Sequence, residues 1–393
     1  MAPQTSAPAP DWRHPFTLVV IGTFLACIAQ FFLMPILPLL VVRRLGGDEA
    51  RVGLAVGAFA VTALISRPLV GWLLDRFGRR FWLVWGMAVC VPCMGAYGLV
   101  HSFEALLAVR LAHGLLWGLT TVAMATVAAD LVPAKHRGTG MGLYGLAIPM
   151  AMAVGPMIGS VLLGEDRFFL VFAVGTAFSL AGLLAFQPVR VPEVANAGAR
   201  LVLSRLVEPR VLRLVLFLVA FCVGFGGWMS FLPLYAPTLG LHGAGPLFFA
   251  YAVGGLTSRV FAGRWYDLRG PHLPGATSVG LVVVAWLCFA LAHHPTLALV
   301  GAVALGLGFG TGGTIFTAMA VDLVEPDRRG AATATVYSAY DIAIGGGAVL
   351  FGEWVDLASV QRVFWAGALA SSLGGILFFA MVLPHFRRNR LAL

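Results

Sequence analysis

The sequence is poor in charge and contains almost no lysine. Charged residues make up 11% of the 393 residues, whereas a soluble domain typically has about 25%. Lys135 is the one lysine, so nearly all of the positive charge is arginine. Hydrophobic residues make up 60% of the chain. This composition excludes an ordinary soluble protein and indicates a membrane protein whose surroundings include the lipid bilayer.

The sequence also lacks the motifs of enzymes and nucleotide-binding proteins. It contains no GxxxxGK[ST] loop, no metal-ligand spacing and no pairing of nucleophile with base. Gly306–Gly313 includes a GxGxxG match, but no strand precedes it and no acidic residue follows at the required distance. Cys90 and Cys93 form a CxxC pair in the middle of an apolar segment, which favours two buried small residues over a redox site. We therefore expect no enzyme, no metal, no cofactor and no nucleic-acid partner.

Twelve apolar runs are long enough to cross a bilayer as helices, for which about 20 residues are needed. Their approximate limits are 16–40, 49–73, 81–100, 104–128, 139–163, 168–188, 212–237, 245–264, 275–293, 296–321, 331–352 and 361–383. One long polar connector interrupts the series. The sequence thus predicts an all-α membrane protein with a six-helix half at 1–190, a cytoplasmic linker at 191–210 and a second half at 211–393.

Basic residues are distributed unequally between the two sides that these runs define. Assigning the loops alternately places 18 of the 26 Arg and Lys residues on the side of the termini, five on the other side and three within spans. Loops rich in Arg and Lys stay on the cytoplasmic side of a membrane. Both termini are therefore predicted to be cytoplasmic, and the net charge of +9 reflects this topology and not a nucleic-acid surface.

Two copies of one pattern recur 192 residues apart. Ser66–Arg80 reads SRPLVGWLLDRFGRR, and Ser258–His272 reads SRVFAGRWYDLRGPH. The same offset relates further pairs: Gly114 and Gly306, Gly118 and Gly310, Asp130 and Asp322, and Arg137 and Arg329. Since six spans separate the copies, both halves cross the membrane in the same sense. The repeat predicts two parallel six-helix halves with a substrate site between them near mid-membrane.

These residues resemble the major facilitator superfamily of transporters over nearly the whole chain. Gly71–Arg80, GWLLDRFGRR, is similar to the family's motif between helices 2 and 3. Arg110–Gly114 resembles the R-x-x-x-G motif in helix 4 of the twelve-helix drug:proton antiporters, and Ala151–Ser160, AMAVGPMIGS, resembles their helix 5 motif. Two outer glycines of that motif are replaced here by alanine and serine. The helix 1 acidic residue of some of these exporters is absent, and Gln30 is the strongly polar residue deep in that span.

The resemblance implies roles at two places. A conformational latch at the loop ends would comprise charged residues and glycines, namely Gly71, Asp75, Arg76, Gly78, Arg79, Asp130 and Asp267. Alternatively, these charges set only the topology. In helix 5, Gly155, Pro156 and Gly159 would form a hinge and seal, with simple close packing as the alternative.

Charged residues deep in the spans are candidates for proton coupling or substrate binding. Asp341 falls near the middle of helix 11, where a charge costs about 2.5–3.5 kcal/mol, so we expect it to face a cavity or a partner. Arg110 and His113 share one face of helix 4. The resemblance implies that Arg110 tunes the pKa of a neighbouring proton site, and His113 is a candidate because a histidine can titrate near neutral pH. The alternatives are a protonated or paired structural Asp341, for instance one hydrogen-bonded to Tyr337 or to a neighbouring helix, and a packing histidine. Ser66-Arg67 and Ser258-Arg259 are expected to extend to the cytoplasmic surface.

Several polar and aromatic residues could line a cavity, although aromatics in apolar spans are more often packing residues: Gln30, Phe31, Trp117, Tyr144, Trp228, Tyr235 and Tyr337. The expected function is export of small amphipathic molecules across the inner (plasma) membrane in exchange for protons, by alternating access in a monomer powered by the proton gradient. The alternative is a proton-linked or passive importer of a small metabolite, which the same fold supports. The helix 5 motif favours export, and the charge of the substrate stays open.

Overall fold

The computed structural model describes residues 12–133, 136–164, 166–191, 207–325, 328–354 and 360–390. These residues form thirteen α-helices and no strand, which confirms the all-α prediction. The helices are α1 Arg13–Leu39, α2 Glu49–Phe77, α3 Arg79–Ala96, α4 Phe103–Leu131, α5 Arg137–Leu163, α6 Phe168–Phe186, α7 Leu212–Tyr235, α8 Gly245–Arg269, α9 His272–Ala290, α10 Pro295–Asp322, α11 Arg329–Trp354, α12 Gln361–Leu377 and α13 Leu383–Asn389. Most of the predicted linker at 191–210 lies outside the described residues.

Eleven helical segments of the described residues are long and apolar enough to cross a membrane. Each covers all or part of one of the helices α1–α7 and α9–α12. A π-helical turn, Leu40–Arg44, extends α1, and another, Phe378–Val382, joins α12 to the short α13. The eighth predicted span corresponds to α8, a helix of 25 residues that carries Arg259 near its middle and falls short of this criterion.

Local signals explain where several helices begin and end. The Asp48 carboxylate accepts the Arg51 N–H at 3.0 Å at the start of α2, and the Ser102 hydroxyl accepts the Ala105 N–H at 3.2 Å at the start of α4. Such N-caps satisfy backbone donors that a first turn leaves free. Between α2 and α3, Gly78 has a φ of +90°, which glycine adopts without steric cost. The equivalent residue of the second half also has a positive φ, so the repeat includes this turn.

Glycines bring paired helices into close contact at equivalent places in the two halves. Gly118 of α4 faces Ser66 of α2 so closely that a Cβ would overlap the serine hydroxyl. In the second half, Gly310 of α10 faces Ser258 of α8 in the same way. Small residues permit this approach between membrane helices. The 192-residue repeat therefore extends from sequence to packing.

Helices α1–α6 and helices α7–α12, which we call the two halves, meet along a few helices, with α2 packed on α11, α5 on α8 and α1 on α7. One side of the bundle carries the start of α1, the α2–α3 turn, the junctions α4–α5 and α10–α11, and α13; we call it the basic side and the opposite one the far side. Contacts tie the basic side together. The rings of Trp12 and His136 stack at 5.8 Å, and Arg80 donates to the carbonyls of Val189 and Gln187.

The two halves touch on the far side and separate towards the basic side. A Cβ on Gly352 of α11 would lie 2.8 Å from the Glu49 carbonyl of α2, and one on Gly245 of α8 would lie 3.3 Å from the backbone of α5. Nearer the basic side, a Cβ on Gly142 of α5 or on Gly263 of α8 would meet no atom within 4 Å. At these glycines, the facing helices touch on the far side and do not touch nearer the basic side, and we call the region between them there the open space.

Candidate functional site

An ion pair joins the two halves where this space ends. Arg67 of α2 donates from Nε to Asp341 Oδ2 at 2.5 Å and from Nη2 to Oδ1 at 3.2 Å. The two side chains are 18% and 17% exposed. The two-pronged geometry is the strongest arrangement for an arginine and a carboxylate. The expectation that Arg67 extends to the membrane surface is wrong, because Asp341 provides a partner at mid-depth.

Asp341 lies near the middle of α11 and next to the open space. Tyr337, one turn nearer the basic side on the same face, is 46% exposed. The space thus reaches within about one helical turn of the ion pair. Asp341 was expected to face a cavity or a partner, and its partner is Arg67 of a neighbouring helix and not Tyr337. This pairing also fits the alternative of a paired structural aspartate, so a role in proton coupling stays a prediction.

Arg259 of α8 stands in the place equivalent to Arg67. Its Nη1 donates to the carbonyl of Gly145 on α5 at 3.3 Å, and its side chain is exposed. Arg259 therefore also faces the other half, and because its side chain is exposed, the expectation that it extends to the surface stays a prediction. Sequence reasoning missed both arginines as site residues. The signal was present, since a charged residue interrupts each apolar run and the repeat preserves it.

Arg110 and His113 lie within the first half, with partners other than Asp341. Arg110 donates from Nε to the Ala55 carbonyl at 2.8 Å and from Nη1 to the Tyr97 hydroxyl at 3.3 Å. His113 Nδ1 lies 3.0 Å from the same hydroxyl. Both residues are buried, at 4% and 2% exposure. The structure does not bring them to Asp341, so any influence on that carboxylate would be indirect.

Two of the residues predicted for the latch, Arg79 of α3 and Asp130 of α4, form an ion pair on the basic side of the first half. Their side chains are 19% and 25% exposed. Arg76, also predicted for the latch, has its guanidinium carbon 5.6 Å from the centre of the Phe77 ring. The surroundings of Gly71 and the side chain of Asp75 lie outside what the structure describes. The switching role of these residues stays a prediction.

The second half builds the corresponding contact from different residues. Asp322, the equivalent of Asp130, accepts the Tyr266 hydroxyl at 2.8 Å, and Arg390 Nε lies 3.6 Å from it. Pro271 occupies the place equivalent to Arg79. Asp267, predicted for the latch, is exposed near the end of α8. The aspartate of the first half therefore pairs with an arginine of the neighbouring helix, whereas the equivalent aspartate of the second half accepts a tyrosine hydroxyl and lies near Arg390.

The proposed hinge in α5 packs against α1. A Cβ on Gly155 would lie 3.1 Å from the Ile28 carbonyl, and one on Gly159 would lie 2.7 Å from the Phe32 carbonyl. Pro156 lies inside α5 between them. These distances support the close-packing interpretation, and the hinge stays a prediction.

The predicted cavity residues divide into two groups. Trp228 and Tyr235 are 0% and 3% exposed; the Trp228 ring stacks on Phe225, and Tyr235 donates to the Phe289 carbonyl at 2.8 Å. They form part of an aromatic core in the second half and do not line the open space, nor does the buried Tyr144.

The remaining predicted residues keep some exposure. Gln30, Phe31 and Trp117 are partly buried, and Phe31 and Trp117 pack around a small cluster that includes Cys27 and Ala151. The Gln30 Oε1 atom is buried without a hydrogen-bond partner, which suits a polar contact to a ligand. In the described part of the chain, no group of three or more His, Cys, Asp and Glu side chains could hold a metal.

Comparison with known proteins gives the family. The sequence matches the Major Facilitator Superfamily over residues 19–348 and 243–392. An uncharacterised MFS-type transporter of Methanocaldococcus jannaschii is 23% identical over 381 residues, covering 93% of this chain and 97% of the relative. The multi-drug resistance efflux pump PmrA of Streptococcus pneumoniae is 27% identical over 326 residues, covering 78% of this chain and 79% of the pump.

A solved structure shares the fold. The crystal structure of a bacterial homolog of the human lysosomal transporter Spinster, in an inward-facing and occupied conformation, aligns with a TM-score of 0.81 and 15% identity. The alignment covers 98% of this chain and 100% of that one. At this identity, the likeness concerns the fold alone. Because the family match spans most of the sequence, this chain belongs to the major facilitator superfamily and is a membrane transporter.

Proposed function

We propose that this transporter exports small amphipathic molecules in exchange for protons. The observation that carries the proposal is the Arg67–Asp341 ion pair between the two halves. An aspartate can take up a proton, whereas an arginine remains charged at any pH a protein meets. Protonation of Asp341 would remove one charge from a bond that holds the halves together. Proton binding is thereby linked to movement of the halves.

The pair also suggests how a carrier without ligand is kept from switching. In this structure, the halves are closed at the far side, and the ion pair adds a bond at mid-depth. We propose that the pair stabilises this state when neither proton nor substrate is bound. A ligand shifts such an equilibrium only by binding the two states unequally. In this proposal, a proton binds the two states with unequal affinity, because protonation of Asp341 weakens the Arg67–Asp341 pair, and the state that is open at the far side lacks this pair.

The proposed topology places the open side towards the cytoplasm. Basic residues gather on the side of both termini, which favours the cytoplasmic face of the inner (plasma) membrane. We propose twelve crossings, with α8 as the one whose apolar character Arg259 reduces. An exporter collects its substrate from that side. Two six-helix halves complete the pathway within one chain, so we propose a monomer.

Export is the direction that two observations favour. Ala151–Ser160 resembles the helix 5 motif of drug:proton antiporters, and the relative PmrA is a multi-drug resistance efflux pump. A proton-linked or passive importer of a small metabolite is the second candidate. The Arg67–Asp341 pair could couple a proton to movement in either direction, and the fold supports both.

The direction of coupling can be measured in liposomes that contain the purified protein and a pH-sensitive dye. A panel of amphipathic dyes and metabolites is applied under an imposed pH gradient, and solute and internal pH are followed together. We expect protons to move opposite to the solute. Movement of both in the same direction would support the proton-linked importer, and solute movement without protons would support the passive one.

A further inference from the structure

The second half has an arginine in the place of Arg67, but the helix opposite it has no aspartate. The 192-residue offset relates Asp341 of α11 to Pro149 of α5. Because proline has no backbone N–H, the carbonyl four residues earlier, that of Gly145, loses its helical hydrogen bond. Arg259 Nη1 donates to this carbonyl at 3.3 Å. A proline thus provides a neutral acceptor on α5 where α11 has a carboxylate.

The charges between the halves are therefore not balanced. More than two turns from either end, the facing helices α2, α5, α8 and α11 carry three charged side chains, those of Arg67, Arg259 and Asp341. Asp341 compensates Arg67, while Arg259 bonds only a carbonyl among its described contacts. An uncompensated charge at membrane depth is costly and typically marks a substrate pathway. The net positive charge here favours a negatively charged ligand.

The surroundings of Arg259 leave room for such a ligand. Its side chain is exposed, and a Cβ on Gly263, one turn nearer the basic side, would meet no atom within 4 Å. A guanidinium has five N–H donors, and Arg259 uses one on the α5 carbonyl. Across the space, α11 presents the half-exposed Tyr337, whose ring centre lies 6.2 Å from that of Tyr340. A cation on α8 and aromatic side chains on the facing α11 suit an acidic group on an apolar body.

We propose that Arg259 binds the acidic group of the substrate, so that the transported molecule is an amphipathic organic anion. The inference rests on the proposed function, in which the substrate lies between the halves. A carboxylate would replace the single bond to Gly145 with shorter, charge-assisted bonds. Binding would therefore break the contact from α8 to α5. Substrate and proton would each act on a different bond between the halves, the substrate at Arg259 and the proton at Asp341.

Binding of three matched compounds to the purified full-length protein tests this inference. The probes are naphthylacetate, naphthylethanol and naphthylethylammonium, which differ in charge on the same apolar body. Equilibrium dialysis at neutral pH measures their affinities. We expect the anion to bind about tenfold or more tightly than either other compound. Tighter or equal binding of the ammonium compound, or no binding of the anion, would overturn the proposal without any variant being needed.

Substitutions then locate the site. Arg259→Gln should weaken naphthylacetate binding about tenfold or more and leave naphthylethanol unchanged. Arg264→Gln is the matched control, since this exposed arginine lies on the same helix towards the basic side. Arg259→Lys should retain part of the affinity, because lysine keeps the charge but not the fork of donors. Unchanged anion binding in Arg259→Gln would contradict the assignment.

One further variant separates this inference from the proposed function. Asp341→Asn should keep anion binding while losing proton-driven transport. If Asp341→Asn retains proton-driven transport, the proposed function fails and the anion site can still stand. If naphthylacetate binding does not depend on Arg259 but Asp341→Asn loses proton-driven transport, the anion site is wrong and the proposed function can still stand.

Discussion

The guanidinium of Arg67 and the carboxylate of Asp341 meet across the boundary between the two halves, with Nε 2.5 Å from Oδ2. The equivalent arginine of the repeat, Arg259, meets a backbone carbonyl on the opposite edge. The contact between α2 and α11 is therefore a bond that protonation of a carboxylate can break, whereas the contact between α8 and α5 includes no carboxylate. This asymmetry within a symmetric fold is the basis for proposing Asp341 as the site of proton coupling.

Reversing the Arg67–Asp341 pair tests whether the bond itself holds the halves. Arg67→Asp alone places two carboxylates together, and Asp341→Arg alone places two guanidinium groups together. We expect each to lower the free energy of unfolding by about 3–5 kcal/mol, because a mostly buried charge loses its partner. The double reversal should recover much of this loss. Thermal unfolding in detergent measures all three. A double variant no more stable than the singles would contradict a direct bond.

The repeat predicts equal sensitivity at two glycines. Gly118→Ala and Gly310→Ala each place a methyl group on a serine hydroxyl of the neighbouring helix. We expect each to destabilise the protein by about 1–3 kcal/mol through overpacking. Gly142→Ala is the control, since a Cβ there meets no atom within 4 Å; alanine should stabilise that helix by about 0.5–1 kcal/mol. Equal unfolding temperatures for all three would be inconsistent with this packing.

The cluster of Arg110, His113 and Tyr97 should contribute to stability and not to proton coupling. Tyr97→Phe leaves His113 Nδ1 and one Arg110 donor without their shared partner. We expect a loss of about 1–3 kcal/mol in unfolding free energy and no displacement of the pH profile of transport. Tyr337→Phe, at an exposed tyrosine, is the control for stability. A displaced pH profile in Tyr97→Phe would show that Arg110 and His113 take part in coupling, as the sequence suggested.

Much of the fold could be predicted from the sequence, because the repeat carries structural information at single residues. Gly78 and its equivalent both adopt positive φ. Gly118 and Gly310 both face serines related by the same offset. The apolar runs gave the helices, since a backbone in lipid must satisfy its own hydrogen bonds. Hydropathy alone was less decisive for α8, where one arginine offsets many apolar residues.

The candidate site was only partly predictable. Asp341 could be identified because a deep carboxylate needs a partner, but Arg67 lies 274 residues away and meets it only through the docking of the two halves. Trp228 and Tyr235 could not be separated from cavity residues, because a membrane helix is apolar on every face and its periodicity does not distinguish core from cavity. For the same reason, Tyr337 could not be singled out as the exposed aromatic.

The most direct test of proton coupling at Asp341 compares wild type with Asp341→Asn in liposomes that hold a pH gradient. A transported solute, identified by the direction assay above, is supplied at equal concentration on both sides, and its accumulation against its own gradient is followed. Glu353→Gln, an exposed carboxylate at the far end of α11, is the control. We expect wild type and Glu353→Gln to accumulate solute opposite to the proton gradient, and Asp341→Asn to show no net accumulation. With solute supplied on one side only, Asp341→Asn should carry it downhill at a rate independent of pH. Accumulation by Asp341→Asn with the pH dependence of wild type would contradict Asp341 as the proton site.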